Sequence, residues 1–220
     1  MTDNTTNIRE VVLDVLLEVL ENHNLSHIVL KQALEKYLFL ERQDRAFITR
    51  CVEGTLEYRI QIDAVIDRFS KVKTVKMKPV IREILRMSVY QILYMERVPD
   101  SAVCNEAVKL AKKRKFQGLS GFVNGVLRTI SREKEKLTWK DVSERYSIPQ
   151  WMLSMWEEMC GKEIAETIAA SFLEERPLTV RFNESIAPAS ETIGRWKTRI
   201  SRWRNRMYFR ESLRYAASIT

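Results

Sequence analysis

An all-α fold is predicted for this 220-residue chain on three observations. Apolar residues recur at helical spacing from Ile8 to Phe172. Glycine and proline are scarce, with 6 and 5 residues respectively. Every proline (Pro79, Pro99, Pro149, Pro177 and Pro188) falls where a periodic segment starts or stops, so the punctuation agrees with the pattern. The length leaves room for one large or two small domains, each with a core of its own. With 45% hydrophobic and 30% charged residues, the composition suits a soluble globular protein.

Taken in order, Asn7 is placed to cap a first helix, with Glu10 three residues on as reciprocal partner. Ile8, Val11, Val12, Val15, Leu16, Val19 and Leu20 form its apolar stripe. Asn22, His23 and Asn24 interrupt the pattern, and Ser26 is expected to cap a second helix carrying Val29, Leu30, Ala33, Leu34 and Tyr37. His23 and His27 lie across that break with no cysteine or carboxylate cluster, so no metal site is expected. A long pattern follows from Phe47 to Phe69, with a bend expected at Gly54, where glycine weakens a helix but permits close packing. Residues 71–78 hold four lysines and no acid, and read as an exposed loop. Pro79 opens a helix with Ile81, Ile84, Leu85, Ser88 and Ile92 on one face, and Asp100 and Ser101 cap the next.

The stretch from Cys104 to Arg128 reads as two helices around a glycine turn. Val103, Ala107 and Leu110 face one way on the first, and Leu119, Phe122, Val123, Val126, Leu127 and Ile130 on the second. Gly118 and Gly121 flank the expected turn. Lys112, Lys113, Arg114 and Lys115 stand together without an acid. Such a cluster complements the negative end of a helix and equally offers a phosphate-binding surface. Arg128, four residues after Asn124, shares its helical face. It can join the same surface or clamp Glu106.

The bundle is expected to end near residue 136, followed by a helical connector over residues 137–176. Thr138 and Asp141 open a short helix to Tyr146. Pro149 starts another with Trp151, Met152, Met155, Trp156 and Met159, and a third carries Ile164, Ala165, Ile168 and Phe172. These aromatics and methionines fall at helical spacing and read as core. Residues 178–183 then alternate apolar and polar, the period of a half-buried strand. This strand would begin an incomplete second domain over residues 177–194.

The net charge of +8 is misleading as a nucleic-acid signature. Residues 195–220 hold eight Arg or Lys and one acid, leaving 29 basic against 28 acidic residues elsewhere. The body is close to neutral, and its basic surface must come from local clustering. Trp196, Trp203, Tyr208, Phe209 and Tyr215 interleave with the arginines of this tail. It reads either as an RNA-stacking segment or as the non-native product of an interrupted reading frame. Cys51, Cys104 and Cys160 are scattered, which points to reduced thiols in a cytoplasmic protein. No apolar run reaches membrane-spanning length, and no membrane contact is expected.

Asn105-Glu106-Ala107-Val108, with Gly121 to Arg128 (GFVNGVLR), resembles the signature of NusB-type helical RNA-binding domains. Arg45 and Phe47 within ERQDRAFITRCVEG fit the same family, as does IREILRMSVYQILY from Ile81 to Tyr94. The stretches from Tyr146 to Met152 and from Arg176 to Asn183 are similar to the junction into RsmB (Sun) RNA methyltransferases. The resemblance implies a NusB-like bundle over residues 1–136. It also implies, for the full-length family, S-adenosylmethionine-dependent methylation of a small-subunit rRNA cytosine at carbon 5. RNA is the partner it implies, with a ribosomal protein as a further one. The alternative is a non-enzymatic NusB-type antitermination factor. The family's catalytic cysteines follow Pro or Thr; here Cys51 follows Arg, Cys104 follows Val and Cys160 follows Met. No glycine-rich cofactor turn is visible either. No catalytic, cofactor-binding or metal-binding residue is therefore assigned. The chain is expected to be inactive by itself, with Lys112, Lys113, Arg114, Lys115 and Arg128 as its RNA-binding residues.

Overall fold

A computed structural model describes residues 7–174, 185–188 and 190–191. The expected strand and the arginine tail lie outside the described residues. The chain divides into two compact units, Met1–Phe172 and Leu173–Thr220. In the second, residues 185–187 form a turn, and the Glu191 N–H donates to the Pro188 carbonyl (3.1 Å).

Among the described residues the first unit holds ten α-helices and no strand. These are α1 (Ile8–Leu20), α2 (Ser26–Lys36), α3 (Arg42–Glu57), α4 (Arg59–Phe69), α5 (Pro79–Tyr94), α6 (Asp100–Lys113), α7 (Ser120–Glu133), α8 (Val142–Tyr146), α9 (Gln150–Cys160) and α10 (Lys162–Phe172). Among the described residues no helix is long and apolar enough to cross a membrane.

The core is built around α5, the helix with most buried positions. The sequence suggests one apolar face, yet Ile81, Ile84, Leu85, Met87, Val89, Tyr90 and Ile92 are buried around nearly its whole circumference. A helix packed on all sides must also bury polar residues, and its arginine and glutamate form ion pairs there. The Arg86 guanidinium donates to both Asp63 carboxylate oxygens (2.7 and 2.6 Å) and to Glu83 Oε1 (2.7 Å). Glu83 is fully buried and its Oε2 has no partner. Burial pushes its carboxyl up to about 7, against the opposing pull of Arg86 and Arg82.

The long pattern from Phe47 to Phe69 does break, but at Tyr58 rather than Gly54. Gly54 serves packing instead. A Cβ there would sit 2.0 Å from Tyr90 Cζ, so only glycine lets α3 approach that ring. Asn7 caps α1 as expected, accepting from the Arg9 N–H (3.0 Å). Ser26 and Asp100 do not cap: each is the first residue of its helix, behind Leu25 and Pro99. The Asp100 carboxylate instead accepts from Ser131 Oγ (2.6 Å) and Lys134 Nζ (2.9 Å), tying the start of α6 to the end of α7.

Residues 71–78 are more ordered than a plain loop. Thr74–Lys76 form a 3-10 turn, and Thr74 and Met77 are buried. After α7, α8 to α10 enclose a small cluster of Ile148, Leu153, Ala165 and Ala169. Asp141 caps α8 by accepting from the Glu144 N–H (2.9 Å). α8 rests on α4, where the Ile60 N–H donates to Ser147 Oγ (3.1 Å) and the Gln61 side chain donates to the Arg145 carbonyl.

Candidate nucleic-acid interface

The basic cluster sits where α6 ends. Its last turn closes with the Lys115 N–H bonded to the Lys112 carbonyl (3.0 Å) and the Phe116 N–H to the Ala111 carbonyl (2.8 Å). This pair of bonds is the Schellman arrangement, which calls for a left-handed residue, usually glycine. Here that residue is Lys115, with φ +66°. The turn is thus made by a lysine, not by Gly118 or Gly121 as the sequence suggests. Gly118 lies in a 3-10 turn and Gly121 inside α7. Phe116 packs against the core beneath the turn and fixes its position.

The four cations divide into two pairs. Lys113 Nζ donates to Glu10 Oε2 (2.5 Å), while Arg114 Nη2 reaches Asp14 Oδ1 (2.5 Å) and Glu10 Oε1 (3.4 Å). Glu10, expected to complete the cap of α1, instead ties α1 to the end of α6. Lys112 and Lys115 are exposed and form no ion pair among the described residues. Glu10 and Asp14, at i and i+4 on the polar face of α1, are the partners that sequence reasoning missed. Their spacing was visible, but nothing local points to a cluster some hundred residues later.

Across the turn, α7 packs Val123, Val126, Leu127 and Ile130 into the core. Its outer face carries Gly121, Gly125 and Arg128, all exposed, with Asn124 beside them. Arg128 Nε donates to Asn124 Oδ1 (3.2 Å), so the two do share a face. The clamp to Glu106 is not formed, because Glu106 pairs with Lys109 (2.7 Å). A Cβ at Gly118, Gly121 or Gly125 would meet nothing within 4 Å. The fold itself therefore does not require these glycines. Lys112 and Lys115 are thus exposed at the end of α6, and Gly121, Gly125 and Arg128 are exposed on α7.

Cys51 and Cys104 are buried, and burial raises both, the first to about 12 and the second against the pull of Arg128. Cys160 Sγ donates to the Trp156 carbonyl (3.0 Å). Among the described residues no group of three His, Cys, Asp or Glu could hold a metal ion. Nor does any strand among the described residues lead into a glycine turn.

Residues 6–132 match the NusB family. A probable ribosomal RNA small subunit methyltransferase B from Bacillus subtilis is 34% identical over 194 residues, covering 86% of this chain and 43% of the relative. The transcription antitermination protein NusB of Thermodesulfovibrio yellowstonii is 32% identical over 136 residues, covering 57% of this chain and 90% of its own. The solved structure of T. maritima NusB overlays with a TM-score of 0.53 at 25% identity, covering 59% of this chain and 93% of that one. The chain thus spans about two fifths of the length of the methyltransferase it matches.

Proposed function

This chain belongs to the NusB family, and from that premise we propose that it is the RNA-docking part of a cytoplasmic small-subunit rRNA methyltransferase of the B type. The observation that carries the reading is the extent of similarity. The NusB match stops at residue 132, whereas identity with the B. subtilis methyltransferase runs over 194 residues. Helices α8 to α10 lie beyond the NusB part, which favours this reading over a free-standing antitermination factor acting with a ribosomal protein.

RNA docks on the turn between α6 and α7. Lys112, Lys115 and Arg128 contact phosphates, and Gly121 and Gly125 let the nucleic-acid backbone approach the helix closely. Lys113 and Arg114 hold α6 against α1 and keep Lys112 and Lys115 in place. The support for this division is that the first set carries no carboxylate partner among the described residues, while the second carries two.

Methyl transfer to cytosine carbon 5 needs a cysteine thiolate that adds to the ring, with S-adenosylmethionine as donor in the full-length family. Cys51 and Cys104 are buried, and burial raises both thiols, which supports docking rather than methylation as the part this chain plays. Titration calorimetry tests this. The chain gives no heat with S-adenosylmethionine but binds small-subunit rRNA; saturable cofactor binding in the micromolar range overturns the reading.

A further inference from the structure

The lysine-rich connection between α4 and α5 has no role in the docking surface described so far. Its backbone is firmly held. The Thr74 N–H donates to Asp67 Oδ1 (2.6 Å), the Met77 N–H to the Thr74 carbonyl (3.1 Å), and the Ser70 hydroxyl to the Val72 carbonyl (2.7 Å). Thr74 and Met77 are buried, while Lys71, Lys73, Lys76 and Lys78 are exposed and Val75 is 80% exposed. Lys73 Nζ donates to the Asp67 carbonyl (2.9 Å). None of the four lysines forms an ion pair among the described residues.

The neighbouring acids are already engaged. Asp67 binds the Thr74 backbone, Glu21 pairs with Arg82, and Glu144 pairs with Arg68 (3.8 Å). The cluster also lies at the wrong end of a helix for stability. Lys78 is the N-cap of α5, and the first turn of that helix contains no acid. Positive charge at a helix N-terminus opposes the macrodipole. At the end of α6, by contrast, lysines complement it. The fold needs Thr74, Met77 and Pro79 in this connection; of the lysines, Lys73 bonds the Asp67 carbonyl, while Lys71, Lys76 and Lys78 form no ion pair among the described residues.

We infer that this connection is a second phosphate-contacting surface, formed by Lys71, Lys76 and Lys78, which engages the same RNA as the α6–α7 turn. The inference rests on the RNA-docking reading above. An array of lysines with no ion pair among the described residues can displace the cations condensed on RNA, and that release favours binding. The backbone anchors also mean that little ordering is required on binding.

The test compares three forms of the full chain carrying Lys→Gln changes: Lys71, Lys76 and Lys78 together; Lys112 and Lys115 together; and all five. Each is titrated with a labelled single-stranded oligoribonucleotide from small-subunit rRNA over a series of salt concentrations. Each lost contact reduces the slope of log K against log salt by about 0.7 for a single strand. The triple variant is expected to lose about 2 in slope, and the five-fold variant the sum of both losses. If only the Lys112/Lys115 variant changes, the second surface is refuted and the docking reading stands. If only the triple variant changes, RNA binds at the connection alone, and both the shared-RNA inference and the α6–α7 reading fail. If no variant changes, the RNA reading itself fails. Equal losses that do not add in the five-fold variant show that the surfaces bind separate molecules, which also refutes the inference.

Discussion

Replacing Gly125 with alanine separates what the fold needs from what a partner needs. Gly125 lies inside α7, is exposed, and has open space where a Cβ would point. Alanine there brings no clash, and within a helix it is favoured over glycine by about 0.8–1 kcal/mol. For a protein of this size that raises the melting temperature by about 2–4 °C. On the docking surface the same methyl stands between helix and RNA backbone. Loss of that approach is expected to weaken binding by about 1 kcal/mol, roughly fivefold in Kd. Thermal unfolding followed by circular dichroism gives the first quantity, and fluorescence anisotropy with labelled rRNA gives the second. The two must move in opposite senses. A fall in melting temperature would mean the glycine serves the fold. A rise with unchanged RNA affinity would mean the glycine face touches no RNA.

Other perturbations probe the scaffold. Gly54→Ala drives a Cβ into the Tyr90 ring, and is expected to cost about 1–3 kcal/mol as a lower urea midpoint. Glu83 gives the fold a pH dependence. Its folded value of about 7 exceeds the unfolded 4.5, so its contribution is full below pH 4.5 and is lost as pH rises through 7. Urea unfolding at pH 5 and pH 8 should show a decline on the order of 2–3 kcal/mol from this group, which Glu83→Gln removes. Changing Lys113 and Arg114 together to Gln frees Glu10 and Asp14, and is expected to lower the melting temperature by a few degrees, about 1 kcal/mol.

Local signals in the sequence carried most of the fold. The apolar stripe of α1, the Asn7 and Asp141 caps and the prolines opening α5 and α9 each depend on neighbouring residues, so they could be read in one dimension. What could not be read depends on distant partners. Gly54 looked like a helix bend because Tyr90, the ring above it, is remote in sequence. The burial of Arg86 and Glu83 has no local signal, because it follows from helices packing on every side of α5. The site was legible as a cluster of charges but not in its division. Lys112 and Lys113 are adjacent and chemically alike, and only the position of α1 gives one a carboxylate and leaves the other bare. The turn itself was misplaced for a similar reason. Glycine is the usual left-handed residue, and the sequence gives no sign that Lys115 adopts that conformation.

On the docking reading, the uncommitted cations at the α6–α7 turn hold RNA while their paired neighbours hold the fold. The most direct measurement is the salt dependence of rRNA binding for the Lys112→Gln/Lys115→Gln chain, set beside its melting temperature. The arginine tail contributes equally to variant and parent, so the difference between them reports on the turn alone. Melting should be unchanged or slightly lowered, because lysines at the end of α6 complement its dipole, and the slope of log K against log salt should fall by about 1.4 for a single-stranded target. An unchanged slope and affinity would contradict the claim and leave Lys112 and Lys115 as solvated residues at the end of a helix.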